Sequence, residues 1–145
     1  MVIDPPDRIY GKLWNCDIST MSETAPHILL HEQLHARSIS YFDTATYAQH
    51  WKMEEATVQL AAQEISKIEG IPIIESQYDE LADGLRQINA DLHLKTSDLE
   101  FAKTLLEMPV IDRLNWLDEQ ISDKMLRGGT IQEFQTLSEL IDMLR

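Results

Sequence analysis

The sequence predicts one mainly helical domain with a small β element at its N-terminal end. A length of 145 residues is that of a single ordinary domain, and a composition of 43% hydrophobic and 26% charged residues is normal for a chain that buries a core. From residue 26 onward, apolar side chains recur at helical spacing in almost every segment. We therefore expect about five to six helices.

The first 25 residues are the least helical part of the chain. Residues 9–18 carry apolar stretches around Gly11 and Asn15, which favours one or two short strands there. We divide the domain into a short β or irregular lead-in (1–25), two helices that carry the candidate site (26–69) and a C-terminal helical part (70–145). No internal repeat, low-complexity tract or long linker separates these parts.

Two helices are expected in residues 26–69. Pro26 suits the first position of a helix that continues to about Ser40. A second helix is expected from about Trp51 to Ile68, where Gly70 ends it.

The C-terminal part carries recognisable helix starts. Three pairs mark them: Ser76 with Asp79, Ser97 with Glu100, and Thr130 with Glu133. The stretch Val110–Leu126 keeps helical spacing of its apolar residues and forms a further helix.

Charge and cysteine content exclude several classes of protein. The net charge is −13, from 25 acidic and 12 basic residues, and such a surface repels both nucleic-acid backbones and anionic membranes. The single cysteine, Cys16, permits neither an intramolecular disulfide nor a cysteine-rich zinc cluster. No signal peptide or membrane-length apolar run is recognisable, so we expect a cytoplasmic protein that binds neither nucleic acid nor membrane.

The segment His31-Glu32-Gln33-Leu34-His35 carries the clearest chemical signal. Residues four apart lie on one face of a helix, so both imidazoles can bind a single zinc ion. Glu32 projects beside that ion, where a carboxylate accepts a proton from an activated water. This is the H-E-x-x-H pattern of zinc peptidases, although an amphipathic helix can also carry two histidines one turn apart by coincidence.

A third ligand is available on the next predicted helix. Glu54 and Glu55 follow His35 by nineteen and twenty residues. A catalytic zinc needs three protein ligands and one open position, and two histidines with a glutamate supply that set. The same donors also suit iron(II) or cobalt.

Residues 26–65 resemble the gluzincins, the thermolysin-like metallopeptidases, in which an H-E-x-x-H helix precedes a second helix with a glutamate ligand. In thermolysin-like members alanine follows that glutamate, as in Glu55-Ala56. Glu54 fits the shorter spacing of aminopeptidase-type members, in which glycine usually follows, and remains the alternative. The resemblance implies a zincin-like helical core, a bound Zn²⁺ held by His31, His35 and Glu55, and a peptide or protein substrate.

The chain departs from the gluzincin pattern in three respects. Gln59 occupies the place of an aspartate that orients a zinc-bound histidine, and an amide oxygen can accept the same hydrogen bond without the charge. The residues before the motif are too few for the substrate-binding sheet of thermolysin, so the chain is closer in size to the minigluzincins. No later histidine lies in an evident transition-state-stabilising motif.

Tyr47 and His50 are further catalytic candidates. We place both in the connection between the two ligand helices, where either side chain can donate a hydrogen bond to a developing oxyanion. Tyr47 is preferred, because its phenol always carries a proton to donate, whereas a neutral imidazole can face the site with its unprotonated nitrogen. His27 is expected to be an exposed first-turn residue.

The sequence therefore predicts a zinc-dependent metallopeptidase. The alternative is a phage- or mobile-element-derived structural or assembly protein with little or no turnover, since residues 31–41 and 54–64 are also similar to segments of bacteriophage head-morphogenesis proteins. A third possibility is a regulatory protein in which zinc has four protein ligands and only holds two helices together.

Overall fold

The computed structural model describes residues 18–38 and 44–145, which fold into six helices with no strand among them. These are α1 (Ile18–Arg37), α2 (Thr44–Glu69), α3 (Asp79–Leu92), α4 (Asp98–Leu106), α5 (Val110–Leu126) and α6 (Ile131–Met143). The predicted helical character is confirmed, whereas the strands predicted around Gly11 and Asn15 lie outside the described residues. No helix in the described ranges has both the length and the apolar character that a membrane crossing requires.

The two helices of the candidate site begin earlier than the sequence predicts. Helix α1 starts at Ile18, so Pro26 lies inside it rather than at its first position. Helix α2 starts at Thr44 rather than near Trp51. Its first turns are mostly exposed and lack the apolar stripe on which the prediction relied. Tyr47 and His50 therefore lie on α2 itself, and their predicted place in a connection is wrong.

Helix α2 is the centre of the fold. Its residues are almost all buried between Met53 and Ser66. The other helices α1, α3, α4 and α5 pack around it, and α6 closes the outer side against α3 and α5. Because α2 is surrounded, even its polar side chains are removed from water and must find partners inside the protein.

Two of the predicted helix starts are confirmed in detail. Ser97 and Thr130 are N-cap residues, and each hydroxyl accepts a hydrogen bond at 3.1 Å from the backbone N–H three residues later. The start of α3 differs, because Tyr78 precedes the helix without a side-chain cap. There the carboxylate of Asp79 accepts a hydrogen bond at 2.9 Å from the backbone N–H of Ser76.

Candidate metal centre

Three side-chain atoms from α1 and α2 converge on one point. His31 Nε2 lies 3.1 Å from His35 Nε2 and 3.0 Å from Glu55 Oε2, and His35 Nε2 lies 3.2 Å from the same carboxylate oxygen. The two histidines share a face because they are one helical turn apart on α1. The carboxylate reaches them from α2, so the site joins two helices.

The size of this triangle suits a tetrahedral metal ion. Nitrogen and carboxylate ligands lie about 2.0–2.2 Å from zinc, which places tetrahedral ligand atoms about 3.3–3.6 Å from one another. The three observed separations of 3.0, 3.1 and 3.2 Å are a few tenths of an ångström shorter than that range. All three atoms carry lone pairs, so a shared proton or a cation must lie among them to relieve their repulsion.

The outer nitrogens of both imidazoles are held by hydrogen-bond acceptors. His31 Nδ1 donates to Gln59 Oε1 at 2.9 Å, and His35 Nδ1 donates to Glu54 Oε2 at 2.9 Å. An imidazole that carries its proton on Nδ1 presents a lone pair on Nε2. These partners therefore turn the Nε2 atoms of His31 and His35 towards the common point, and His35 Nε2 offers a lone pair there once it has lost its own proton.

The neighbouring carboxylates Glu54 and Glu55 occupy opposite sides of His35. Glu55 is fully buried and contacts the Nε2 atoms, whereas Glu54 contacts the outer nitrogen of His35. Successive residues on a helix point about 100° apart, which lets two adjacent side chains perform these separate tasks. Glu55 therefore lies on the side where the two Nε2 atoms converge, and Glu54 lies beside the outer nitrogen of His35.

Glu54 belongs to a buried ion pair that the sequence analysis missed. Arg113, on α5, is 0% exposed and donates from Nη1 to Glu54 Oε1 at 2.9 Å. Its Nη2 donates to Ser38 Oγ at 2.8 Å, and its Nε donates to the carbonyl of Met108 at 3.1 Å. The signal that was available is the position of Arg113 within the apolar stripe of α5, where a charged side chain needs a buried partner.

The charges of the site depend on these contacts. Burial by itself would raise the pKa of Glu55, but its contacts with His31 and His35 lower it to about 2. Burial would lower the pKa of His35, but hydrogen bonds to Glu54 and Glu55 raise it to about 10. Without a metal, the site therefore holds two ionised carboxylates, and their charges are balanced by the proton on His35 and by the Arg113 guanidinium.

Glu32 lies on the same side as the two histidines. One carboxylate oxygen of this half-buried residue falls within 4.8 Å of ligand nitrogens of both His31 and His35. His31, Glu32 and His35 thus form a second possible metal-binding group. The ligand atoms of His31, His35 and Glu55 lie within 3.2 Å of one another, closer together than the 4.8 Å within which the group with Glu32 falls.

The remaining candidates have different surroundings. The Tyr47 hydroxyl donates to Glu55 Oε1 at 2.7 Å, and burial together with the Glu55 charge raises the pKa of Tyr47. His50 makes no hydrogen bond to the triangle among the described residues. The expectation that His27 is exposed is wrong: it is 3% exposed, and its Nδ1 lies 3.0 Å from Ser66 Oγ. Because α1 begins at Ile18, His27 lies inside the helix and faces α2.

The start of α3 supplies two further residues that the sequence analysis did not select. The ring of Tyr78 lies nearly parallel to that of His31, with 6.0 Å between the ring centres and 16° between the planes. The carboxylate of Asp79 accepts a hydrogen bond from Gln59 Nε2 at 2.9 Å. Both contacts depend on how α3 packs on α2, which local sequence patterns do not encode.

No protein-family model, curated protein or solved structure matches the chain.

Proposed function

We propose that the chain is a zinc-dependent metallopeptidase with a zincin-like helical core formed by α1 and α2. The observation that carries this proposal is the convergence of His31, His35 and Glu55, with 3.0–3.2 Å between their ligand atoms. A zinc ion held there supplies Lewis-acid chemistry, polarising a peptide carbonyl and lowering the pKa of a water. Two histidines and one glutamate leave a position open for that water or for substrate.

Glu32 is the general base in this mechanism. Its carboxylate accepts a proton from the attacking water as the water oxygen bonds to the peptide carbon. It then passes the same proton to the amide nitrogen as the carbon–nitrogen bond breaks, so the proton count balances. Glu32 suits both steps because it follows His31 directly and lies within 4.8 Å of the histidine nitrogens.

We assign to Tyr47 the stabilisation of the negative charge that develops on the carbonyl oxygen during the reaction. Its hydroxyl lies in the site, 2.7 Å from the far oxygen of Glu55, and its raised pKa keeps its proton in place as a donor. His50 lies on the same helix and is our second choice for this role. It ranks below Tyr47 because it makes no hydrogen bond to the triangle in the described structure.

The Glu32→Gln variant is the first test of this mechanism. We expect it to keep zinc and to lose hydrolysis by about 10²–10⁴-fold, because an amide cannot accept the proton. Zinc content by elemental analysis and cleavage of a peptide library by mass spectrometry are the two measurements. Gln33→Ala, at the exposed neighbouring position, is the matched control. Cleavage at the wild-type rate by Glu32→Gln would rule out this mechanism.

The position of Glu32 also favours one second candidate function, a zinc site that only holds α1 and α2 together. In that case the Glu32 carboxylate itself is a fourth ligand beside His31, His35 and Glu55, and no position stays open. The same variant separates the two functions, because Glu32→Gln then weakens zinc binding and no form of the protein cleaves peptides.

Zinc affinity is expected to rise with pH. The pKa of His35 in the metal-free protein is about 10, so below that pH a zinc ion must displace its proton. Glu55, with a pKa of about 2, is already ionised and releases none. We expect the affinity to rise about tenfold per pH unit between about pH 7 and 9, with about one proton released per zinc. Calorimetry in buffers of different ionisation enthalpy measures that proton, and a flat pH profile would contradict the assignment of His35.

A further inference from the structure

Asp79 gathers three hydrogen-bond donors at the first turn of α3. Gln59 Nε2 and Gln63 Nε2 donate to its Oδ1 at 2.9 and 2.8 Å, and the backbone N–H of Ser76 donates to its Oδ2 at 2.9 Å. Both glutamines are buried on α2. The carboxylate therefore joins the start of α3 to the face of α2 that lies behind the candidate metal centre.

The contact with Asp79 determines how the Gln59 amide is oriented. A carboxylate only accepts hydrogen bonds, so the amide nitrogen of Gln59 must face Asp79. The amide oxygen then faces the other way, where it lies 2.9 Å from His31 Nδ1. An oxygen at that distance requires the proton of His31 on Nδ1 and leaves the lone pair on Nε2.

We propose that Asp79 is a positioning residue for the metal centre, acting through the Gln59 amide to hold His31 with its Nε2 lone pair directed at the metal. The proposal rests on the proposed zinc site and deepens it, because it names a residue that prepares the site without touching the ion. Carboxylates commonly orient metal-binding histidines directly. Here the carboxylate lies one amide further away and on a different helix.

The start of α3 also limits the movement of His31 by packing against the face of its imidazole ring. Tyr78, directly before Asp79, places its ring nearly parallel to the imidazole, with 6.0 Å between the ring centres. His31 is thus limited in rotation by Tyr78 and in tautomer by the Asp79–Gln59 pair. The first turn of α3 therefore determines both the tilt and the protonation pattern of one ligand.

The test compares Asp79→Ala, Gln59→Met and Gln63→Met by zinc affinity in chelator competition. Loss of an orienting partner typically weakens metal binding by about 10–100-fold, and we expect that loss for Asp79→Ala and Gln59→Met. Gln63→Met removes another donor to the same carboxylate oxygen but does not contact His31, so it should bind zinc as the wild type does. We call the chain of contacts from Asp79 through Gln59 to His31 the relay. Gln59→Met breaks the relay but leaves the Ser76 contact of Asp79 intact, so its effect cannot come from damage to the start of α3.

The second readout is the tautomer of His31 in the metal-free protein, measured by nitrogen-15 NMR. We expect a protonated Nδ1 in the wild type and in Gln63→Met, and a mixture of tautomers in Asp79→Ala. Asp79→Asn keeps an acceptor oxygen for Gln59 and should restore most of the Nδ1–H form, which a purely structural role of Asp79 would not explain.

The outcomes separate the relay from the peptidase proposal. An unchanged His31 tautomer together with unchanged zinc affinity in Asp79→Ala overturns the relay, even if the wild type cleaves peptides. If Asp79→Ala changes both the zinc affinity and the His31 tautomer, but the wild type cleaves no peptide, the relay is supported and the peptidase proposal is overturned.

Discussion

Zinc affinity in Glu55→Gln is expected to fall by more than about 100-fold, beyond the range seen when only an orienting partner is lost. Glutamine keeps the size of the side chain but removes the charged oxygen that lies 3.0 and 3.2 Å from the two histidine nitrogens. Only the two neutral imidazoles would remain as ligands. Chelator competition measures the change directly.

Glu54→Gln is the matched control for that experiment, because it changes the adjacent residue in the same way. Glu54 orients His35 from behind, so we expect its substitution to weaken zinc binding by about 10–100-fold. The ligand set itself stays complete. A larger loss of zinc affinity in Glu54→Gln than in Glu55→Gln would show that Glu54 is the ligand and that Glu55 orients the histidine.

The largest effect on folding is expected from Arg113→Met. Arg113 and Glu54 are 0% and 1% exposed and lie 2.9 Å apart, so removing the guanidinium leaves a carboxylate buried without its cationic partner on α5. Breaking a buried ion pair in this way typically costs about 3–5 kcal/mol in the free energy of unfolding. Urea denaturation of the metal-free protein measures that free energy.

Two comparisons show whether the loss comes from the unpaired charge. Adding Glu54→Gln to Arg113→Met removes the buried charge and should recover part of the lost stability, because a neutral amide costs less to bury. Arg145→Met breaks the exposed pair with Asp118 and should cost no more than about 1 kcal/mol. An Arg113→Met variant as stable as Arg145→Met would show that the buried pair contributes little.

The helices predicted correctly are those marked by a local signal, either a continuous apolar stripe or a capping residue. Val110–Leu126 is a helix with the predicted bounds, because its apolar stripe runs from end to end. The caps at Ser97 and Thr130 follow from a hydroxyl three residues before a glutamate. The early turns of α2 were missed because they are largely exposed and lack such a stripe.

Helical geometry alone predicts only the part of the candidate site whose residues share one helix. His31, Glu32 and His35 are adjacent by helical geometry alone. The choice between Glu54 and Glu55 depends on the rotation of α2 against α1, which a spacing along the chain does not determine. Asp79 and Arg113 come from α3 and α5, so their contacts with Gln59 and Glu54 exist only after the helices pack.

The most direct test of the metal centre is the zinc content of the purified protein, measured by elemental analysis for the wild type, His35→Ala and His93→Ala. His93 is an exposed histidine at the end of α3 and serves as the matched control. We expect about one zinc per chain in the wild type and in His93→Ala, the stoichiometry of a single three-ligand site, and none in His35→Ala. A wild-type protein that holds no zinc after the metal is added back, or a His35→Ala variant that still holds one, would contradict the account.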